Sequence, residues 1–110
     1  MPSEEADVRK LRELRDLAYE RELTTELKAL EAAFDQWKEN HIDSRELNEL
    51  IHDFHRGPRR RLASIYEDLE PALAVARAVA YGVLAYDEVP VHLLDELEAP
   101  IQFFQDRAQP

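Results

Sequence analysis

Residues 23–40, LTTELKALEAAFDQWKEN, decide the fold. Their apolar members Leu23, Leu27, Leu30, Phe34 and Trp37 step by 4, 3, 4 and 3, the spacing that lines one side of an α-helix. Neither glycine nor proline interrupts the stretch. A half-buried strand would instead alternate apolar and polar residues with period two, and no segment of the chain does.

Working outward toward the N-terminus, Val8, Leu11, Leu14 and Ala18 form a second stripe. It is out of phase with the first, because extending the later seam backwards lands on Glu20, Asp16 and Glu13. Either a stutter shifts the seam or the helix breaks near Thr24-Thr25; with no glycine or proline to interrupt it, one continuous helix over about residues 4–40 is expected. Such a helix spans about 55 Å at about 1.5 Å per residue, more than a domain of this size is wide. Part of its seam should therefore overhang the bundle and pair with another chain. Leu11, Leu14, Leu23, Leu27 and Leu30 are the candidate oligomer seam.

Toward the C-terminus the pattern reads as a compact helical part over about residues 43–107. Asp43 and Glu46 have capping-box spacing, and Leu47, Leu50, Ile51 and Phe54 form the face that the second helix should bury. Gly57-Pro58 is the expected stop, with Pro58 in the first turn of a third helix that turns Leu62, Ile65, Tyr66 and Leu69 inward. Pro71 opens a fourth helix. Ala72, Ala76 and Ala80 stripe one side of it, and Ala74 and Ala78, with Ala85 beyond them, the other. Small side chains on two sides admit neighbours on both, so this helix should be central. Pro90 starts a fifth helix with Leu93, Leu94 and Leu97 inward, and Pro100 should end or kink it. The fold class is all-α: a single helical bundle of four to five helices over residues 1–110, with a long N-terminal helix and an Ala-rich central one.

The chain holds 24 acidic and 14 basic residues, a net charge of −10. A field of that sign disfavours nucleic acid and anionic membranes as partners. No cysteine occurs, which removes disulfides, thiolate metal sites and thiol catalysis and fits a reducing, cytoplasmic setting. The opening residues are acidic where a secretory signal would be basic and then apolar, so none is expected. The most apolar stretch, Pro71 to Tyr86, is interrupted by Arg77 and is shorter than the roughly twenty residues a bilayer needs, so no membrane span is expected.

Charge is uneven along the chain. Residues 23–55 hold eight acidic and three basic side chains, a net −5, whereas residues 56–61 carry +4 from Arg56, Arg59, Arg60 and Arg61. Arginines in the first turn of a helix oppose its dipole, and an anion bound there would relieve them. These four are the candidate anion or phosphate site, with His52 and His55 adding pH sensitivity below about 6.5. The competing explanation is that they pair with the protein's own surplus of carboxylates.

Glu49, His52 and His55 stand at i, i+3 and i+6, and Glu-x-x-His is half of a di-iron carboxylate pattern. The second half is missing, and a helical projection puts His52 about 150° from the apolar face, so surface histidines are the simpler account. Asp35 to Glu46 matches an EF-hand loop at its first, fifth, ninth and twelfth positions. It departs where Trp37 takes a ligand position and Asn40 stands in place of the turn glycine. For catalysis, Ser3 and Ser44 lack a His–acid partnership, and no Gly-rich phosphate loop or His-Glu-x-x-His occurs. Tyr66, Tyr81 and Tyr86 could line a pocket beside the fourth helix, but core tyrosines explain them as well. No cofactor is implied. The function expected is a non-enzymatic interaction or accessory protein that works through helical surfaces, joined to itself or to another protein. The alternative is an anion-binding module at residues 56–61.

Overall fold

Helix α1 runs unbroken from Glu5 to Lys38, at about 1.5 Å per residue a rod of about 51 Å. It spans nearly the whole long axis of a molecule measuring 53 × 32 × 23 Å. The computed structural model describes residues 4–108; Ser3 lies outside the described residues. Thr24 and Thr25 do not break the rod; the Thr25 hydroxyl donates back to the Arg21 carbonyl at 3.1 Å, a local bond the helix accommodates. The helix ends instead at Asn40, whose φ of 63° is left-handed. There the His41 N–H reaches back to the Gln36 carbonyl at 2.9 Å, an ending that glycine usually supplies and asparagine can also adopt.

Helix α2 (Ser44–Phe54) opens with the expected capping box: Glu46 N–H donates to Asp43, and Asp43 N–H donates to the Glu46 carboxylate. The expected stop at Gly57-Pro58 does not occur. A π-helical turn, His55–Arg59, carries the backbone directly into α3 (Arg60–Asp68). In a regular α-helix the Pro58 ring would press on the carbonyl four residues back and would offer no N–H to it. One wider turn relieves the clash without ending the rod. Helix α4 (Pro71–Ala80) starts on its proline as expected, Gly82 turns the chain at φ 78°, and α5 runs from Val91 to Ala108. Pro100 does not end α5. Leu97 and Ile101 are buried on either side of it, and the helix runs on to Ala108.

Helix α4 is central, packed by α1, α3 and α5. Its Ala72, Ala74, Val75, Ala76, Ala78 and Val79 are all buried, which is why alanine dominates: small side chains let neighbouring backbones close on several sides. Leu11, Leu14 and Ala18 join this core from α1, Leu62 and Tyr66 from α3, and Leu93, Leu97 and Ile101 from α5. These elements form a head. Beyond it, the C-terminal half of α1 and α2 lie side by side as a two-helix arm, in which Leu47 alone is fully buried.

The head explains the phase shift in α1. Projected at about 100° per residue, the Leu11/Leu14/Ala18 stripe lies roughly 150° from the Leu23/Leu27/Leu30/Phe34 stripe. One helix buries one side in the head and turns nearly the opposite side to α2. The out-of-phase stripes are two packing partners, not a strained coil.

Candidate functional site

The arm presents apolar surface that is left partly open among the described residues. Leu47, Leu50, Ile51 and Phe54 form the amphipathic face of α2, but Leu50 is 41% and Ile51 37% exposed. On α1, Leu27 is 46% and Trp37 39% exposed, with Leu30 and Phe34 half-buried. Between the two helices runs a groove of about 210 Å³, lined by Leu30, Ala33, Leu50 and Phe54 and by Ala29, Glu26, Asp53 and Pro58. The alanines leave it open. At the far end, the Trp37 indole N–H donates to the Ser44 hydroxyl at 3.1 Å, and its ring stands edge-on to Phe34, with centroids 6.5 Å apart. These contacts tie the turn between the helices to the end of α1.

The candidate seam divides at the head. Leu11 and Leu14 are covered by the chain's own core and cannot meet a partner, contrary to the expectation for them. Leu23 packs half-buried against that core, so Leu27 and Leu30 are the seam residues left on the open arm. The sequence also misassigned Leu50 and Ile51 as internal. Helical periodicity tells which side of a helix is apolar, but not whether the same chain covers it.

The four arginines do not converge. With the rod continuous through residue 60, no free helix N-terminus stands behind them. Arg61 reaches Glu26 on α1 at 3.7 Å, Arg56 lies 3.4 Å from His52, Arg60 is exposed, and Arg59 is half-buried with its Nε unpartnered. Among the described residues no three His, Asp or Glu side chains group to hold a metal ion, so Glu49, His52 and His55 stay apart along an exposed helix side. The EF-hand pattern also dissolves, because Asp35 sits within α1 and the Asp43 and Glu46 carboxylates cap α2.

A polar cluster that the sequence did not single out joins three elements of the head. The Tyr66 hydroxyl donates to Glu22, and Arg77 donates to the same carboxylate oxygen at 3.1 Å. Burial, and then the Glu22 carboxylate, push the Tyr66 pKa up, so the hydroxyl stays protonated. Tyr19 stacks on Tyr66 with ring centroids 5.0 Å apart. Beside the cluster is a hollow of about 240 Å³ into which Thr25, Glu26 and Arg61 also face. Its charges are already matched in pairs, Arg77 with Glu22 and Arg61 with Glu26. Only the distant pairing of residues 22, 66 and 77 in the fold reveals the cluster, and no local spacing signals it. Near the other end of α5, Tyr81, Phe103 and Phe104 form an aromatic group. Arg77 lies 4.6 Å over the Tyr81 ring and Arg107 3.9 Å over Phe103, so the protein's own cations already cover those faces.

No family model, curated protein or solved structure matches the chain. Among the described residues no helix is long and apolar enough to cross a membrane.

Proposed function

We propose that this is a non-enzymatic helical interaction protein of a reducing, cytoplasmic setting, which associates with a second copy of itself through the open face of its arm. The observation that carries the reading is the pair of adjacent amphipathic helices whose facing apolar stripes remain exposed at Leu27, Trp37, Leu50 and Ile51. Two helices cannot enclose a core, whereas four arranged as a bundle can, and two arms supply four.

The surface area supports the same reading. The chain exposes 7488 Å², against roughly 6,300 Å² for a compact protein of its mass. The excess is comparable with the roughly 800 Å² that each partner contributes to a stable interface. The radius of gyration, 17.1 Å, likewise exceeds the roughly 13 Å of a compact chain of this length.

Sedimentation equilibrium tests the proposal. The unmodified chain should be a dimer at tens of micromolar. Leu50→Glu and Leu27→Glu, which place charge on the face without touching the head core, should each give monomers with an intact helical spectrum. Dimers that persist in both variants would show that another surface joins the copies.

A further inference from the structure

Resting on that self-association, we infer that α2 and the π-helical turn at its base form a strap that opens from α1 and recloses while the head stays folded, and that only the closed strap docks a second copy. The strap is separable from the core. No residue of α2 belongs to the head's buried cluster, and α2 packs chiefly along α1. Little ties it there. Leu47 is its one fully buried side chain. Among the described residues, one side-chain hydrogen bond, Trp37 to Ser44, joins α2 to α1, and no ion pair does. Helix α1, by contrast, is pinned to the head through Arg21–Glu88, Glu22–Arg77 and Asp7–His92.

Both ends of the strap are interrupted. At the tip, Asn40 turns the backbone at φ 63°. At the base, the π-helical turn holds Gly57, with no atom within 4 Å of where a Cβ would stand, Pro58, which donates no backbone hydrogen bond, and Arg59, whose Nε has no partner. Such turns are rare and concentrate at functional sites. The two helices of the arm also differ in what they do once apart. The 11 residues of α2 fall short of the roughly 12–15 that a free helix needs in water, so α2 released from α1 unwinds. The arm half of α1 extends a helix already nucleated in the head, and residues 23–38 hold neither glycine nor proline. It keeps its turns. The docking face needs both helices, because Leu50 and Ile51 come from α2 and Leu27 and Trp37 from α1. Association therefore selects the closed strap, and apparent affinity falls with the closed fraction.

Trp37, the chain's one tryptophan, donates its hydrogen bond to the first residue of α2 and so reports the opening. The test is a urea titration of the unmodified chain at submicromolar concentration, followed by Trp37 emission and by ellipticity at 222 nm. The strap predicts two steps: Trp37 emission shifts first, with most of the ellipticity retained, and the head melts at higher urea. Gly57→Ala should raise the first midpoint and leave the second in place, because the residue sits in a helical turn only while the strap is closed. Raising the unmodified chain to high micromolar concentration should likewise raise the first midpoint alone. A single transition in which both probes change together would overturn the strap and leave self-association standing. A first midpoint that ignores concentration, in a chain that sedimentation shows to be dimeric, would overturn the coupling between closure and docking. A chain that is monomeric at every concentration would overturn the underlying reading instead, and its two steps would still report the strap.

Discussion

Three side-chain contacts bridge residues more than forty positions apart and set how α1 lies on the head. Arg21 donates to both oxygens of Glu88, at 2.8 and 2.6 Å, and to the Val83 carbonyl at 2.9 Å. With the Ala85 N–H also donating to it, Glu88 is held at a pKa of about 2 by these bonds, Arg21's first. His92 meets Asp7 at 2.8 Å, and the Asp7 carboxylate raises the His92 pKa. The two pairs act on opposite sides of the pH scale. The contribution of Glu88 is present above its ordinary value near 4.5 and fades as pH falls through about 2. That of His92 is present below about 6.5 and fades as pH rises through its elevated folded value. Urea titrations from about pH 2 to about pH 8.5 should therefore show Glu88→Gln flattening the acid limb of the stability curve, and His92→Gln the neutral-to-alkaline limb. The third contact is the Tyr66–Glu22–Arg77 cluster, in which the Arg77 and Glu22 side chains are only 15% and 21% exposed. Tyr66→Phe should cost about 1 kcal/mol, because Arg77 keeps its partner. Glu22→Ala should cost about 2–3 kcal/mol, because it strands both the buried hydroxyl and the cation. Equal costs for the two changes would contradict this ordering.

Among the elements, proline and glycine behaved differently from their sequence-based expectation. Pro71 and Pro90 mark helix starts as expected, while Pro58 and Pro100 lie within continuous rods. The difference is tertiary: Leu62 and Tyr66 must enter the head core just past Pro58, and Leu97 and Ile101 flank Pro100 in it. Burial outweighs a lost hydrogen bond, and nothing local in the sequence announces that. The two glycines make the same point. Gly57 lies in a helical turn with no atom within 4 Å of where a Cβ would stand, so Gly57→Ala should stabilise the protein by up to about 1 kcal/mol. Gly82 has equal space but a φ of 78°, so Gly82→Ala should destabilise by about 1 kcal/mol through backbone strain alone. Chemical denaturation midpoints of both variants check the opposite signs. Much else about the elements was legible. The Asp43–Glu46 cap, the buried faces of α3 and α5 and the central alanine helix all follow from short-range spacing. The arm's open face was only half legible. Periodicity identified Leu27 and Leu30 as a seam, yet it gave Leu11 and Leu14 the same status and treated Leu50 and Ile51 as internal. Deciding between those outcomes requires knowing which helix sits opposite.

For the whole molecule, the head and the arm differ in how fully they are closed. The head buries a continuous core from Leu11 to Ile101, whereas the arm fully buries Leu47 alone and leaves Leu27, Trp37, Leu50 and Ile51 partly exposed. Local stability should follow that division, because helices with few buried contacts open at low free energy while core elements approach the global limit. A partner that covers the arm would suppress its local opening. Amide hydrogen exchange across residues 24–54, at low and high micromolar protein concentration, tests this most directly. Self-association through this face predicts that exchange in those residues, which open locally in the monomer, slows as concentration rises. Exchange in the arm that is fast and independent of concentration would contradict self-association through this face.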